Sequence, residues 1–550
     1  MTQNRLPAWP IIVLLFGILW FGTLGSRRLV EPDEGRYAEI PREMLATGDW
    51  VTPRLDGLKY FEKPPLQYWA TAVAYQTLGQ NEFAARLWTG LTGFLGIVLL
   101  WFAAGHLFNS RVGYTAAAIL ASSLLYVVMG HLTTLDMGLS FFLELAVFSF
   151  LLAQRSPPKS STERYWMWVA WAATALGFLS KGLVALILPT FTLLIYTVVT
   201  RETSAWKRLY VLSGLPLFLL ISVPWIVAVS LQNPEFPRFF FYHEQFERFL
   251  TSVHERDAPW WYFLPLIVVG SLPWLSIFLS SFKSSWCADV NNRFQVRRFL
   301  WIWIIAVVTF FSMSHSKLAP YITPIFPAIA LLTADSLTRM RTRTAQWHLF
   351  AMAGILAALA ISIALLPNGV AGPDAVDLVA DLRPFVASGF AAAACGVVVA
   401  LWLLMRNHQQ AAVIAMGLGT LFGLSLLIYG ADALRTTRSA HSLAVQLAPQ
   451  LKPDTTLYSI SQYPQTLPFY LHRTITLVGY RGELDFGLTQ EPSLGLDGID
   501  DFLHAWSNAP HPIAILRTDV FEQLKQRGVM MEIVATHHDL LAISKPNKQP

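Results

Sequence analysis

The chain has 550 residues, 54% of them hydrophobic and only 14% charged, with a net charge of +5 and a mean hydropathy of +0.45. Soluble domains carry roughly 25% charged residues, so an ordinary soluble protein is excluded. The basic residues lie between apolar runs and form no continuous patch, which argues against a nucleic-acid surface.

In chain order, the first apolar run covers 9–24, follows Arg5, and has no small-x-small cleavage site, so it reads as a retained first helix. Further runs lie at 86–108, 112–131, 136–154, 165–180, 183–200, 209–230, 261–281, 298–314, 319–334, 348–366, 384–405 and 411–430. Each is long enough, or nearly so, to cross a hydrocarbon core about 30 Å thick, and in that medium the backbone must satisfy itself as a helix. The sum is about 13 spans. Ser180-Lys181-Gly182 breaks the pair 165–180 and 183–200, which predicts a tight hairpin or an interrupted segment. Cys287 falls in a predicted inner loop and Cys395 within a span, so no disulfide is expected. Arginine and lysine crowd alternate short loops, such as Arg155, Lys159 and Arg164, or Arg339, Arg341 and Arg343. This bias puts the N-terminus inside, and an odd number of spans puts the C-terminus outside. The opposite face then carries two large loops, 26–85 and 231–260.

Beyond about Arg435 the pattern changes. Short β-rich runs (457–460, 475–478, 513–516, 532–535) alternate with helical stretches at 498–507 and 519–527. They predict a small α/β domain. The expected architecture is mainly α: a polytopic helical bundle over 1–434 with the α/β domain at 435–550.

The first outer loop holds most carboxylates outside the C-terminal domain. Asp33 and Glu34 follow the first span directly, an acidic pair suited to act as a base or to stabilise a cationic transition state. Asp33 capping the following helix, with Glu34 complementing its dipole, explains the same residues equally well. Lys63 beside Glu62 suits a lipid phosphate at the surface, although simple snorkelling also accounts for it. In the second loop Arg248 is a second cation, able to grip two phosphate oxygens at once. His243 with Glu62 offers a weak candidate pair for a divalent metal ion. Asp136, Lys181, Lys317 and Tyr321 put further polar groups at span ends on the same side, and convergence of several such groups points to a site. Tyr60 suits a sugar or lipid chain, or interfacial anchoring.

The segments Pro32-Asp33-Glu34, Arg36-Tyr37-Ala38-Glu39-Ile40, Arg42-Glu43-Met44-Leu45, Gly48-Asp49-Trp50 and Tyr60-Phe61-Glu62-Lys63-Pro64 resemble the bacterial aminoarabinose transferases of lipid A, membrane glycosyltransferases of the GT-C type. Lys181-Gly182, the stretch 239–248, Gly270-Ser271-Leu272-Pro273-Trp274, and Lys317-Leu318 with Tyr321 add to the likeness. The resemblance implies a monomeric enzyme of the bacterial inner membrane, with its site and C-terminus periplasmic. It would move 4-amino-4-deoxy-L-arabinose from undecaprenyl phosphate to a lipid A phosphate by direct displacement with inversion, so favouring resistance to cationic peptides. It implies Asp33, Glu34 and Asp136 in catalysis, and Lys63, Arg248, Tyr321, Tyr60, Arg36, Tyr37, Lys181 and Lys317 in substrate binding. A polyprenyl-phosphate-sugar protein O-glycosyltransferase shares the acidic loop and is the alternative enzyme. A lipid flippase is the alternative of another class, but it would place charges at mid-membrane and show internal repeats.

Overall fold

The computed structural model describes residues 9–247, 258–286, 293–366 and 376–546. Each of the thirteen apolar runs is largely helical where described. Among the described residues, eight helices are long and apolar enough to span a membrane, and Phe263–Gly270 with Leu275–Phe282, bent by 114°, is a ninth candidate. The remaining four runs are shorter or less apolar. Trp9–Phe21 has 13 residues, 112–131 splits into Ser110–Leu120 and Leu124–Met129, Ser161–Lys181 carries charges at both ends, and Val184–Thr200 has 17 residues. The chain is a multi-pass membrane protein. Gly182, at φ 83°, makes the break between the Ser161–Lys181 and Val184–Thr200 helices.

Two compact units divide the chain: Met1–Leu24 with Arg86–Gly430, and Gly25–Ala85 with Ala431–Pro550. The first is the helical membrane unit. The second joins the first outer loop to the C-terminal domain, a union that a sequence division at 434/435 does not anticipate.

Within the second unit the loop forms a helix, Asp33–Thr47, a minimal hairpin of β1 (Arg54–Leu55) and β2 (Leu58–Lys59), and a helix, Leu66–Leu78. The hairpin turns on Asp56-Gly57, at φ 57° and 80°. Such a two-residue turn needs positive φ at both positions, which Asp-Gly adopts readily. The C-terminal part is a six-stranded sheet of β3 (Thr455–Ile460), β4 (Thr476–Val478), β5 (Gly495–Leu496), β6 (His511–Arg517), β7 (Glu532–His537) and β8 (Leu540–Ser544), in the order β5-β4-β3-β6-β8-β7. The first four positions in that order run parallel, and β8 and β7 close the edge antiparallel. Alternate residues serve opposite faces. Leu457, Ile513, Ile515 and Ala542 pack into one core, and Tyr458, Ala514, Leu516 and Ile543 into the other. Period-two alternation with both neighbours apolar is what a sheet covered on both faces requires.

Hydrogen bonds fasten the loop to this sheet. Asp56 Oδ1 accepts the Ile475 N–H (2.7 Å), and Glu491 accepts both from Arg54 Nη1 (3.0 Å) and from the Lys59 N–H (3.0 Å). Glu43 holds the hairpin turn from the other side, accepting the Gly57 N–H at 2.8 Å and the Asp56 N–H at 2.5 Å. Glu31 Oε1 accepts the Thr466 hydroxyl (2.7 Å). Gly35 lies so close to the turn after β3 that a Cβ there would meet the Gln465 carbonyl carbon at 2.6 Å.

Candidate active site

Pro32 stands at the N-cap of the Asp33–Thr47 helix and supplies no side-chain cap. Asp33 is therefore the first helical residue and not the cap, and its carboxylate pairs with Arg36 one turn on. Its side chain keeps 38% of its surface open, whereas that of Glu34 keeps 3%. Glu34 is gripped by Arg27 through two bonds of 2.6 and 2.8 Å, and it also accepts the Val30 N–H at 3.0 Å. The acidic pair thus splits into one accessible carboxylate and one buried in a bidentate ion pair. The sequence does not single out Arg27, because a basic residue at a membrane exit reads as an ordinary boundary charge.

Around Asp33 the cluster is dense. Arg36, buried, donates to the Tyr60 hydroxyl (3.4 Å) and lies 5.6 Å from the Tyr37 ring centroid. Burial works against the Arg36 charge, but the hydroxyls of Tyr60 and Tyr37 and the carboxylates of Asp33 and Glu62 outweigh it and raise its pKa. Burial, then Glu62, pushes the Tyr60 phenol well above its usual value, so at neutral pH it remains a hydrogen-bond donor. Tyr37 stacks on Tyr68 of the Leu66–Leu78 helix at 6.2 Å. Lys63, also buried, donates to the Glu62 carbonyl (2.8 Å), with the Glu62 carboxylate at 4.0 Å.

In the membrane unit a second constellation forms. Asp136, in the first turn of the Leu135–Arg155 helix, is ion-paired with Lys181 at the end of the Ser161–Lys181 helix. The Lys181 ammonium stands 4.5 Å from the centroid of the Tyr321 ring. Lys317 donates to the Ser314 carbonyl at 2.6 Å. Asp136, Lys181 and Tyr321, three of the polar groups that the sequence puts at span ends on one side, thus lie together. His243 lies in a π-helical stretch, Arg238–Glu247, its ring stacked on Phe239 at 5.1 Å. Arg248 and Cys287 lie outside the described residues. Among the described residues no group of three His, Cys, Asp or Glu could hold a metal ion. The Glu62 carboxylate has the Lys63 ammonium 4.0 Å away, and Glu62 belongs to the second unit and His243 to the first.

Family models match in two places: the aminoarabinose transferase C-terminal domain over residues 443–545, and dolichyl-phosphate-mannose-protein mannosyltransferase over residues 9–240. The undecaprenyl phosphate-α-4-amino-4-deoxy-L-arabinose arabinosyl transferase of Pectobacterium carotovorum is 30% identical over 87% of this chain and 86% of its own length. The chain belongs to that family. A Pseudomonas fluorescens relative of the same name is 33% identical, the match spanning 64% of this chain and 63% of the relative, just under two thirds of its length. Among solved structures, ArnT from Cupriavidus metallidurans bound to undecaprenyl phosphate superposes with a TM-score of 0.92, at 35% identity, over 99% of both chains.

Proposed function

We propose that this protein is a glycosyltransferase of the bacterial inner membrane, moving 4-amino-4-deoxy-L-arabinose from undecaprenyl phosphate to a phosphate of lipid A at the periplasmic face. The observation that carries the reading is the Asp33–Arg36–Tyr60 cluster beside Lys63, in a chain that matches over its whole length a relative holding undecaprenyl phosphate. The match of residues 443–545 to the aminoarabinose transferase domain favours this over protein O-glycosylation, for which only the membrane half speaks. The Lys/Arg bias of the loops supports the orientation.

In the reaction the bond between the sugar's anomeric carbon and the undecaprenyl phosphate oxygen breaks. A bond from the anomeric carbon to an acceptor phosphate oxygen forms. The leaving phosphate departs as an anion and needs fixed positive charge more than a proton. Lys63 and Arg36 supply such charge in the second unit, and Lys181, oriented by Asp136, is the candidate cation of the membrane unit. Arg248 keeps the role of a phosphate clamp that its sequence suggests. The acceptor monoester, with a second pKa of about 6, is largely ionised at neutral pH and needs no strong base. Asp33, held in place by Arg36, meets the positive charge that develops at the anomeric carbon. Displacement in one step inverts that centre.

Mass spectrometry of lipid A tests this directly, in cells that make the donor but lack their own transferase. Expression of this chain should add aminoarabinose, and the Asp33→Asn form, at equal abundance in the membrane, should not. Unmodified lipid A beside well-expressed wild-type protein would overturn the assignment.

A further inference from the structure

Gln67 and Thr71 stand one turn apart on the Leu66–Leu78 helix, and both are buried, at 1% and 0% exposure. Among the described residues neither the amide nitrogen nor the amide oxygen of Gln67 has a hydrogen-bond partner, and the Thr71 hydroxyl has none either. Three polar atoms on one face, withdrawn from water and left without partners, cost folding free energy for no structural return. Leaving buried polar groups unpaired is the mark of a surface completed by something else.

The helix geometry says which surface. At about 100° per residue, Gln67 and Thr71 lie roughly 40° apart, on the same buried arc as Tyr68 and Tyr75. Tyr75 donates to the Ala38 carbonyl (3.1 Å) and Tyr68 stacks on Tyr37, so that arc looks toward the Asp33–Thr47 helix, whose first turn carries the Asp33–Arg36 pair. Gln67 also follows Lys63 by four residues, across Pro64-Pro65. A primary amide both donates and accepts, as does a hydroxyl, and neither carries charge. That combination suits the vicinal hydroxyls of a sugar ring better than a phosphate, which wants donors only.

We propose that Gln67 and Thr71 are specificity-determining residues that hydrogen-bond the hydroxyls of the donor's sugar ring. The inference rests on the donor reading above. It separates two jobs in one loop: Lys63 and Arg36 hold the phosphate, and the Gln67–Thr71 face reads the sugar.

The test uses full-length protein in nanodiscs and the near-isosteric variants Gln67→Met and Thr71→Val. Three quantities are measured: the KM for undecaprenyl-phosphate aminoarabinose, the affinity for undecaprenyl phosphate without a sugar, and the Tm of the ligand-free protein. Each variant should raise the donor KM about tenfold, the equivalent of about 1.4 kcal/mol. Affinity for undecaprenyl phosphate should stay within twofold, because that lipid lacks the sugar. The ligand-free Tm should be unchanged or higher, since an unpaired polar group has been replaced by an apolar one. Thr71→Ser, which keeps the hydroxyl, should regain most of the donor affinity. An unchanged donor KM overturns the inference, as does equal weakening toward both lipids. A lowered Tm with Thr71→Ser as impaired as Thr71→Val overturns it too, by making the face a packing surface. Wild-type protein that binds undecaprenyl phosphate but transfers no aminoarabinose overturns the donor reading itself, and this inference with it.

Discussion

Adjacent carboxylates in one acidic pair have opposite environments, and their variants should fail in opposite ways. Asp33 is accessible and, among the described residues, paired only with Arg36 on its own helix. Replacing it with Asn keeps the shape and removes the charge proposed to meet the sugar, so kcat should fall by about 10²- to 10⁴-fold with little change in Tm. Glu34 is buried against Arg27, and Glu34→Gln leaves that guanidinium short of its charge partner. Breaking a buried pair from one side costs about 3–5 kcal/mol, so this variant should show a lowered Tm and poor yield, with near-normal turnover in the protein that folds. Thermal denaturation beside donor turnover separates the two. From sequence the pair was legible as a site, but its division of labour was not. Which carboxylate is buried depends on Arg27, a residue whose partner is decided by the path of the chain between Arg28 and Pro32.

At the scale of elements, the β1–β2 hairpin is the latch of the first loop, and its acids make it sensitive to pH. Burial pushes the Asp56 carboxyl well above the usual carboxylate range; the Ile475 N–H and Arg42 oppose the rise, and the charge of Glu39 adds to it. Burial, Glu39 and Asp56 raise Glu43 in the same way. A carboxyl whose folded pKa is raised binds its proton more tightly when folded, so stability is highest at low pH and declines as pH climbs from about 4 through the raised value. Asp56→Asn keeps an oxygen for the Ile475 N–H and tolerates the left-handed backbone of that turn. It should match the wild type near pH 4 and exceed it in Tm at pH 7–8, flattening the slope without abolishing it, because Glu43 remains. A slope unchanged in a Tm series over pH 4–8 would remove Asp56 from the account. The hairpin turn also shows where sequence reading stops. Asp56-Gly57 carries a local signal, but the runs beside it are two residues long, and the carboxylates that hold them are drawn from Glu43 and Glu491. Longer strands with their own alternation, at 457–460 and 513–516, could be read directly. β5, two residues long, could not.

For the whole molecule, hydropathy revealed the membrane helices because the bilayer imposes a local rule on each one. It could not reveal that residues 25–85 fold with residues 431–550, since that union depends on single contacts between segments some 400 positions apart in sequence. The union predicts that the C-terminal domain, though it supplies no residue to the proposed chemistry, is required for the loop that does. A chain ending after Leu434 would lose Thr466 from Glu31, Ile475 from Asp56, Glu491 from Arg54 and the Gln465 backbone from Gly35. Its apolar spans are intact, so it should still insert into the membrane. Its first loop should be cut by added protease where the full chain resists, and transfer should be lost. Full-length Gly35→Ala should move part-way in the same direction, because a methyl group cannot fit against backbone at 2.6 Å without a shift costing about 1–3 kcal/mol. Full-length Asp33→Asn is the control: inactive, yet as protease-resistant as the wild type. If the truncated chain kept a protected loop, the first loop would be ordered without the C-terminal domain, and the second unit would not be one cooperative fold.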